Sequence, residues 1–109
     1  MYAYGEDIYN NPKMHNLTQI DGLDEPDMSY SFTMLYAWLH EDGTVYYAED
    51  SGCSCPSPFE DYTSLDYYNL YNSKHQDMGH LESMVKDFNS SNEEKRQFLN
   101  KVKAVWPKR

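Results

Sequence analysis

Tyr30-Ser31-Phe32-Thr33-Met34-Leu35-Tyr36-Ala37-Trp38-Leu39-His40, then Glu41-Asp42-Gly43, then Thr44-Val45-Tyr46-Tyr47-Ala48-Glu49, is the stretch whose reading decides the fold. Tyr30, Phe32, Met34, Tyr36 and Trp38 recur at every second residue. That period puts side chains on one face of a strand. Thr44–Glu49 is β-branched and aromatic, which suits a second strand. The Asp42-Gly43 pair between them predicts a two-residue type I′ hairpin, whose central residues both need positive φ. In that register Trp38 faces Tyr47 and Tyr36 faces Glu49. Upstream, Leu17-Thr18-Gln19-Ile20 predicts a third strand, which completes an antiparallel meander.

Working outward to the C-terminus, the period changes. Thr63-Ser64-Leu65-Asp66 reads as a helix cap followed by a short helix through about Tyr71. Met78, Leu81, Met84, Val85 and Phe88 recur at three and four, the spacing of an amphipathic helix. Ser91 and Glu94 fit a capping box. Phe98, Leu99, Val102, Val105 and Trp106 form the next stripe, and Pro107 ends it. The expectation is an α+β domain over residues 1–109, with about three strands and then two or three helices packed on one face. The sheet spans about 17–50, a Cys/Pro loop 51–62, and the helices about 63–106.

The chain has 109 residues and 11 tyrosines, enough for one domain with an aromatic core. Collagen, coiled coils and disulfide-dense toxins are excluded by composition. No basic segment leads into an apolar one at the N-terminus, and no apolar run approaches the roughly 18 residues of a membrane span. These features predict a cytoplasmic protein with no membrane association.

Charge is unevenly spread. The net charge is -9, yet residues 86–109 carry 7 bases against 3 acids. Residues 1–85 have only Lys13 and Lys74 against 15 acids. Twelve acids form doublets: Glu6-Asp7, Asp24-Glu25, Glu41-Asp42, Glu49-Asp50, Glu60-Asp61 and Glu93-Glu94. Such a body repels phosphate, so direct nucleic-acid binding is not expected. It attracts basic protein surfaces. Solvated turns and helix starts are the simpler use of such doublets.

The segment Asp50-Ser51-Gly52-Cys53-Ser54-Cys55-Pro56-Ser57-Pro58-Phe59-Glu60-Asp61 holds both cysteines. A Cys53–Cys55 disulfide would close a very small ring against the usual geometry. Zinc held by Cys53, Cys55, His75 and His80 is a weak alternative, because C-x-C is not the common knuckle spacing. A thiol nucleophile lacks a neighbouring base, and the flanking acids would raise its pKa. The structural reading is that Gly52, Pro56 and Pro58 shape a compact turn around Cys53 and Cys55. No phosphate loop, zinc-helix motif or nucleophile elbow is present, and the acids at 21, 24 and 27 do not space as a calcium loop. No catalytic residue and no cofactor are assigned. Tyr30, Tyr36, Trp38 and Tyr47, rimmed by Glu49 and Asp50, form the expected protein-binding patch, since Tyr and Trp are favoured anchors.

The run from Glu49 to Glu60, following an aromatic strand and an Asp-Gly turn, resembles an uncharacterised family of small actinobacterial phage proteins. Ile8-Tyr9-Asn10-Asn11-Pro12, leading to Leu17-Thr18, is similar to how those proteins begin. The resemblance covers about residues 8–66 and transfers no catalytic residue. It implies an accessory protein in the cytoplasm of an infected bacterial host, where it binds a host or phage protein without catalysis. The alternatives are an acidic DNA mimic that inhibits a nucleic-acid-binding enzyme, a metal- or thiol-dependent enzyme using Cys53 and Cys55, and a virion component.

Overall fold

The computed structural model describes residues 6–25, 31–53 and 58–108. Four strands are seen: β1 (Leu17–Asp24), β2 (Ser31–His40), β3 (Val45–Cys53) and the two-residue β4 (Tyr71–Asn72). Two helices follow, α1 (Met78–Asp87) and α2 (Asn92–Val105). The strands lie in the order β1-β2-β3-β4, and every neighbouring pair is antiparallel. The fold is therefore α+β, with one more strand than the sequence suggested.

The hairpin is present, but its turn is longer than expected. Trp38 faces Tyr46 and Tyr36 faces Ala48, one residue off the expected register. The His40 N–H donates to the Thr44 carbonyl at 2.9 Å, so the loop is Glu41-Asp42-Gly43. Only Gly43 among these has positive φ, at 93°. The Gly43 N–H closes a turn on the His40 carbonyl at 2.9 Å, and the Asp42 carboxylate accepts the Thr44 N–H at 2.9 Å. A turn followed by a left-handed glycine is the three-residue hairpin, and it leaves Asp42 in an ordinary conformation. β1 is also longer than expected, with an irregularity between Gln19 and Asp21 that carries the strand on to Asp24.

Both faces of the sheet are buried. On one, Phe32, Met34, Tyr36, Trp38, Tyr46 and Ala48 pack against Ile8, Phe59, Tyr62 and Leu70. These covering residues come from segments with no helix. On the other, Leu35, Ala37, Val45 and Tyr47 pack against Leu81 and Val85 of α1 and Phe98 and Val102 of α2. Burying side chains of this size is worth about 1.5–3 kcal/mol each.

The second helix starts where the Ser91 and Glu94 capping box placed it, and the first starts at a cap the sequence reading did not single out. Asp77 caps α1 by accepting the His80 N–H, and Ser91 caps α2 by accepting the Glu94 N–H at 3.2 Å. The α2 stripe is core: Phe98 and Val102 are fully buried. Its basic flank meets the acidic body through Lys101 with Asp21 at 3.7 Å and Lys103 with Glu82 at 3.0 Å. The short helix expected at Thr63–Tyr71 does not form. Isolated turns take its place, with the Tyr67 N–H on Ser64 O and the Leu70 N–H on Tyr67 O. Tyr62 and Leu70 are both drawn into the aromatic core, and Tyr71 is drawn into a ladder with Tyr47, which one helical face does not allow.

Candidate functional site

The aromatic residues expected on the surface are inside. Trp38 and Tyr47 are fully buried and Tyr36 is 8% exposed. Tyr36 lies edge-on to Tyr9 at 5.2 Å and donates its hydroxyl to the Asp24 carboxylate at 3.1 Å. The Tyr47 hydroxyl meets His80 Nδ1 at 2.7 Å. Burial pushes both phenols well above the ordinary tyrosine range, in Tyr36 with help from the Asp24 carboxylate. These rings build the sheet's two cores and leave no ring face for a partner. The alternating pattern reports burial on this strand, and neither of its faces is solvated. Tyr30 lies outside the described residues.

The cysteine segment divides. Gly52 and Cys53 belong to β3 and pair with Phe32 and Ser31, so the expected loop begins later than residue 51. Cys55 and Pro56 lie outside the described residues. Pro58 is half-buried at the start of a turn over residues 58–61, in which Phe59 has a φ of +61°. A bulky residue seldom adopts that conformation. Here the Phe59 ring sits among Tyr9, Tyr36, Trp38 and Tyr62, and its N–H donates to the Asp50 carboxylate at 2.6 Å. Of the four residues in the zinc alternative, Cys55 lies outside the described residues. His75 is exposed, and His80 is engaged with Tyr47, six residues along β3 from Cys53 or roughly 20 Å at strand rise. Among the described residues, no three His, Cys, Asp or Glu side chains gather to hold a metal.

Glu49 and Asp50 do reach an accessible region, at the end of the sheet away from the hairpin. Three acidic doublets converge there. Met34 of β2 pairs with Asp24 on one side and Asp50 on the other. The Glu25 N–H donates to Thr33 at 3.0 Å, which keeps Glu25 close enough for its charge to raise the Glu49 pKa. Glu60 and Asp61 follow the Phe59 turn. With Asp50 and Ser51 they line a cleft of about 150 Å³, whose other walls are Phe32, Tyr62, Tyr67 and Asn69.

The electrostatics match the geometry. The Asp50 carboxyl is pushed above the usual range by desolvation, and the Asp61 charge adds to this against the Phe59 and Ser51 N–H groups. Glu49 is raised by desolvation and then by Glu25. Ion pairs among the described residues engage Asp21, Asp42, Glu82 and Glu93. Carboxylates gathered beside aromatic side chains favour a cation, which relieves their mutual repulsion.

Of the acids expected at the rim of the patch, Asp50 lines the cleft and Glu49 does not; Glu60, Asp61, Tyr62 and Tyr67, which line it too, were not singled out from the sequence as parts of a site. The doublet at 60–61 was the signal, but its distance from 49–50 depends on the Phe59 turn. A second, larger cleft of about 450 Å³ is lined by His75, Gln76, Asp77, Trp106 and Pro107. Its Asp77 is occupied as the cap of α1.

No curated protein and no solved structure matches the chain. A family model, described as a domain of unknown function (DUF7574), matches residues 6–107. With its fold, core and acidic cleft all falling inside that match, the chain belongs to the DUF7574 family.

Proposed function

We propose that this protein is a non-enzymatic binding module that docks a basic surface of another protein at the acidic end of its sheet. The observation that carries this reading is the cleft in which Asp50, Glu60 and Asp61 stand among Phe32, Tyr62 and Tyr67. The partner is a host or phage protein, and the setting is the cytoplasm of an infected bacterium, as the resemblance of the 49–60 run suggests. A DNA mimic needs acids in a long row. Here Glu41-Asp42 sits at the opposite end of the sheet beside Lys74, and Glu93 on α2 is paired with Arg96. That dispersal favours a compact protein docking site.

The test is affinity capture from bacterial lysate with the wild-type protein and with Glu49→Gln/Asp61→Asn, both at low and at high salt. The reading expects a partner that is retained by wild type at low salt, lost with the variant, and released as salt screens the charges. Equal retention by both proteins would remove the acidic end from the interaction.

A further inference from the structure

Among the described residues, the outer edge of β3 is paired over only part of its length. At Val45 both backbone groups point outward: its N–H donates to Ser73 Oγ at 3.0 Å and its carbonyl accepts the Ser73 N–H at 2.9 Å. An antiparallel ladder alternates, so Tyr47, Glu49 and Ser51 also turn their backbone groups outward. Tyr47 meets Tyr71, and there β4 ends. Continued at the same register, Asn69 would stand opposite Glu49 and Tyr67 opposite Ser51. The chain diverges instead, and the 150 Å³ cleft opens between Ser51 and the pair Tyr67 and Asn69.

Glu49 and Ser51 are both exposed. The Glu49 carbonyl is touched by the Tyr62 hydroxyl at 3.4 Å, longer than a good O–H···O bond of about 2.7 Å. Among the described residues, the Ser51 N–H is engaged by the neighbouring Asp50 carboxylate, a local contact that an incoming carbonyl displaces. Natural sheets blunt such edges with lysine, proline or a bulge. Residues 49–53 contain no lysine or proline, and β3 keeps an unshifted register with β2 to Cys53.

Resting on the acidic docking read above, we infer that this edge receives an extended basic segment of the partner as an added strand, with one cationic side chain entering the cleft. Strand addition supplies affinity through main-chain bonds and selectivity through alternate side chains. Alternate residues of the added strand share a face. Those on one side point toward Asp50, Glu60 and Asp61, and those on the other toward Glu49. Acids on both sides select lysine or arginine over acidic residues.

The probe is an eight-residue peptide of alternating lysine and threonine, with an alternating glutamate and threonine peptide as the control. Its binding is followed by amide hydrogen exchange on the full-length protein. The lysine peptide should slow exchange at the Glu49 and Ser51 amides about tenfold or more. Ser51→Pro should weaken binding about tenfold and leave the melt largely intact, because its N–H faces outward and takes no part in the β2 ladder. Binding that Asp61→Asn weakens, with no protection at Glu49 or Ser51, overturns strand addition and leaves the acidic docking site standing. No preference for the lysine peptide at low salt overturns both.

Discussion

The two faces of the sheet are sealed by different means. One is covered by α1 and α2, whose Leu81, Val85, Phe98 and Val102 present aliphatic and phenyl groups at helical spacing. The other is covered by coil. Ile8, the pair Phe59 and Tyr62 on one turn, and Leu70 come from separate coil segments, held by the Ile8 N–H on Tyr62 O at 3.0 Å and by Asp7, which accepts the Tyr9 and Asn10 N–H groups. A helix satisfies its own backbone and needs only a stripe of apolar side chains. A coil layer has to find partners for each backbone group separately, and it uses larger rings to bury enough area per residue.

The largest expected effects test whether these layers are equal parts of one core. Phe98→Ala on the helical face and Phe59→Ala on the coil face each remove a fully buried ring. Each should cost about 3–5 kcal/mol, a large share of the roughly 5–15 kcal/mol that holds a small domain together. Urea unfolding of both variants checks this. If Phe59→Ala unfolds with wild-type stability, the coil layer is a loose covering and the comparison fails.

The same contrast explains what could be read in the sequence. The helical face was legible because each contact repeats at three or four residues: Met78 to Phe88 and Phe98 to Trp106 show the period without reference to anything distant. The hairpin was legible because its strands alternate. The coil layer was not legible. Nothing local in Pro58-Phe59-Glu60 says that a phenyl ring will cross to Trp38, and Thr63–Leu70 carries a helix-like start that tertiary packing overrides. The register slipped by one for a related reason. Asp-Gly suits both a two-residue and a three-residue hairpin, and the choice rests on the His40–Thr44 bond. The candidate site was half legible: the doublet at 49–50 lies on a readable strand, and its companion at 60–61 arrives on the coil layer.

A smaller effect probes how the coil layer presses on the sheet. A Cβ built at Gly22 of β1 would clash with the Tyr36 ring. That ring cannot swing freely, because it is edge-on to Tyr9 and Phe59 and tied to Asp24. Gly22→Ala should cost about 1–3 kcal/mol by overpacking. Adding Tyr36→Leu should recover part of the loss, so the two changes will not be additive. Simple additivity in a double-mutant cycle would show that the ring yields at no cost. Gly43 at the hairpin tip is the opposite case. Nothing lies within 4 Å of a Cβ there, so the whole penalty is its φ of +93°. Gly43→Val should cost about 1–2 kcal/mol from backbone strain alone. A melt unchanged within error would contradict the three-residue turn.

The smallest effect concerns Asp50, where the coil layer meets the acidic cleft. Its carboxyl titrates above the ordinary 3.8 in the folded protein, chiefly through desolvation. As pH rises past 3.8, the unfolded chain releases this proton first and the folded chain holds it longer. Over that window the folded state binds more protons, so the contribution of Asp50 to stability declines as pH rises. Asp42 works in the other direction. The Thr44 N–H and then Lys74 hold its carboxyl below the usual range, and its contribution is lost only as pH falls. Asp50→Asn separates the two. Its amide oxygen can still accept the Phe59 N–H, now 2.6 Å from the carboxylate, so the turn keeps its anchor while the titration disappears. The variant should match wild type at about pH 3, below the ordinary carboxylate value, and exceed it slightly by about pH 6, by less than the Gly43 change costs. Melting temperatures measured across that range decide it. Parallel curves for variant and wild type would mean that the cleft already solvates Asp50 fully, and that the coil layer leaves this end of the sheet open to water.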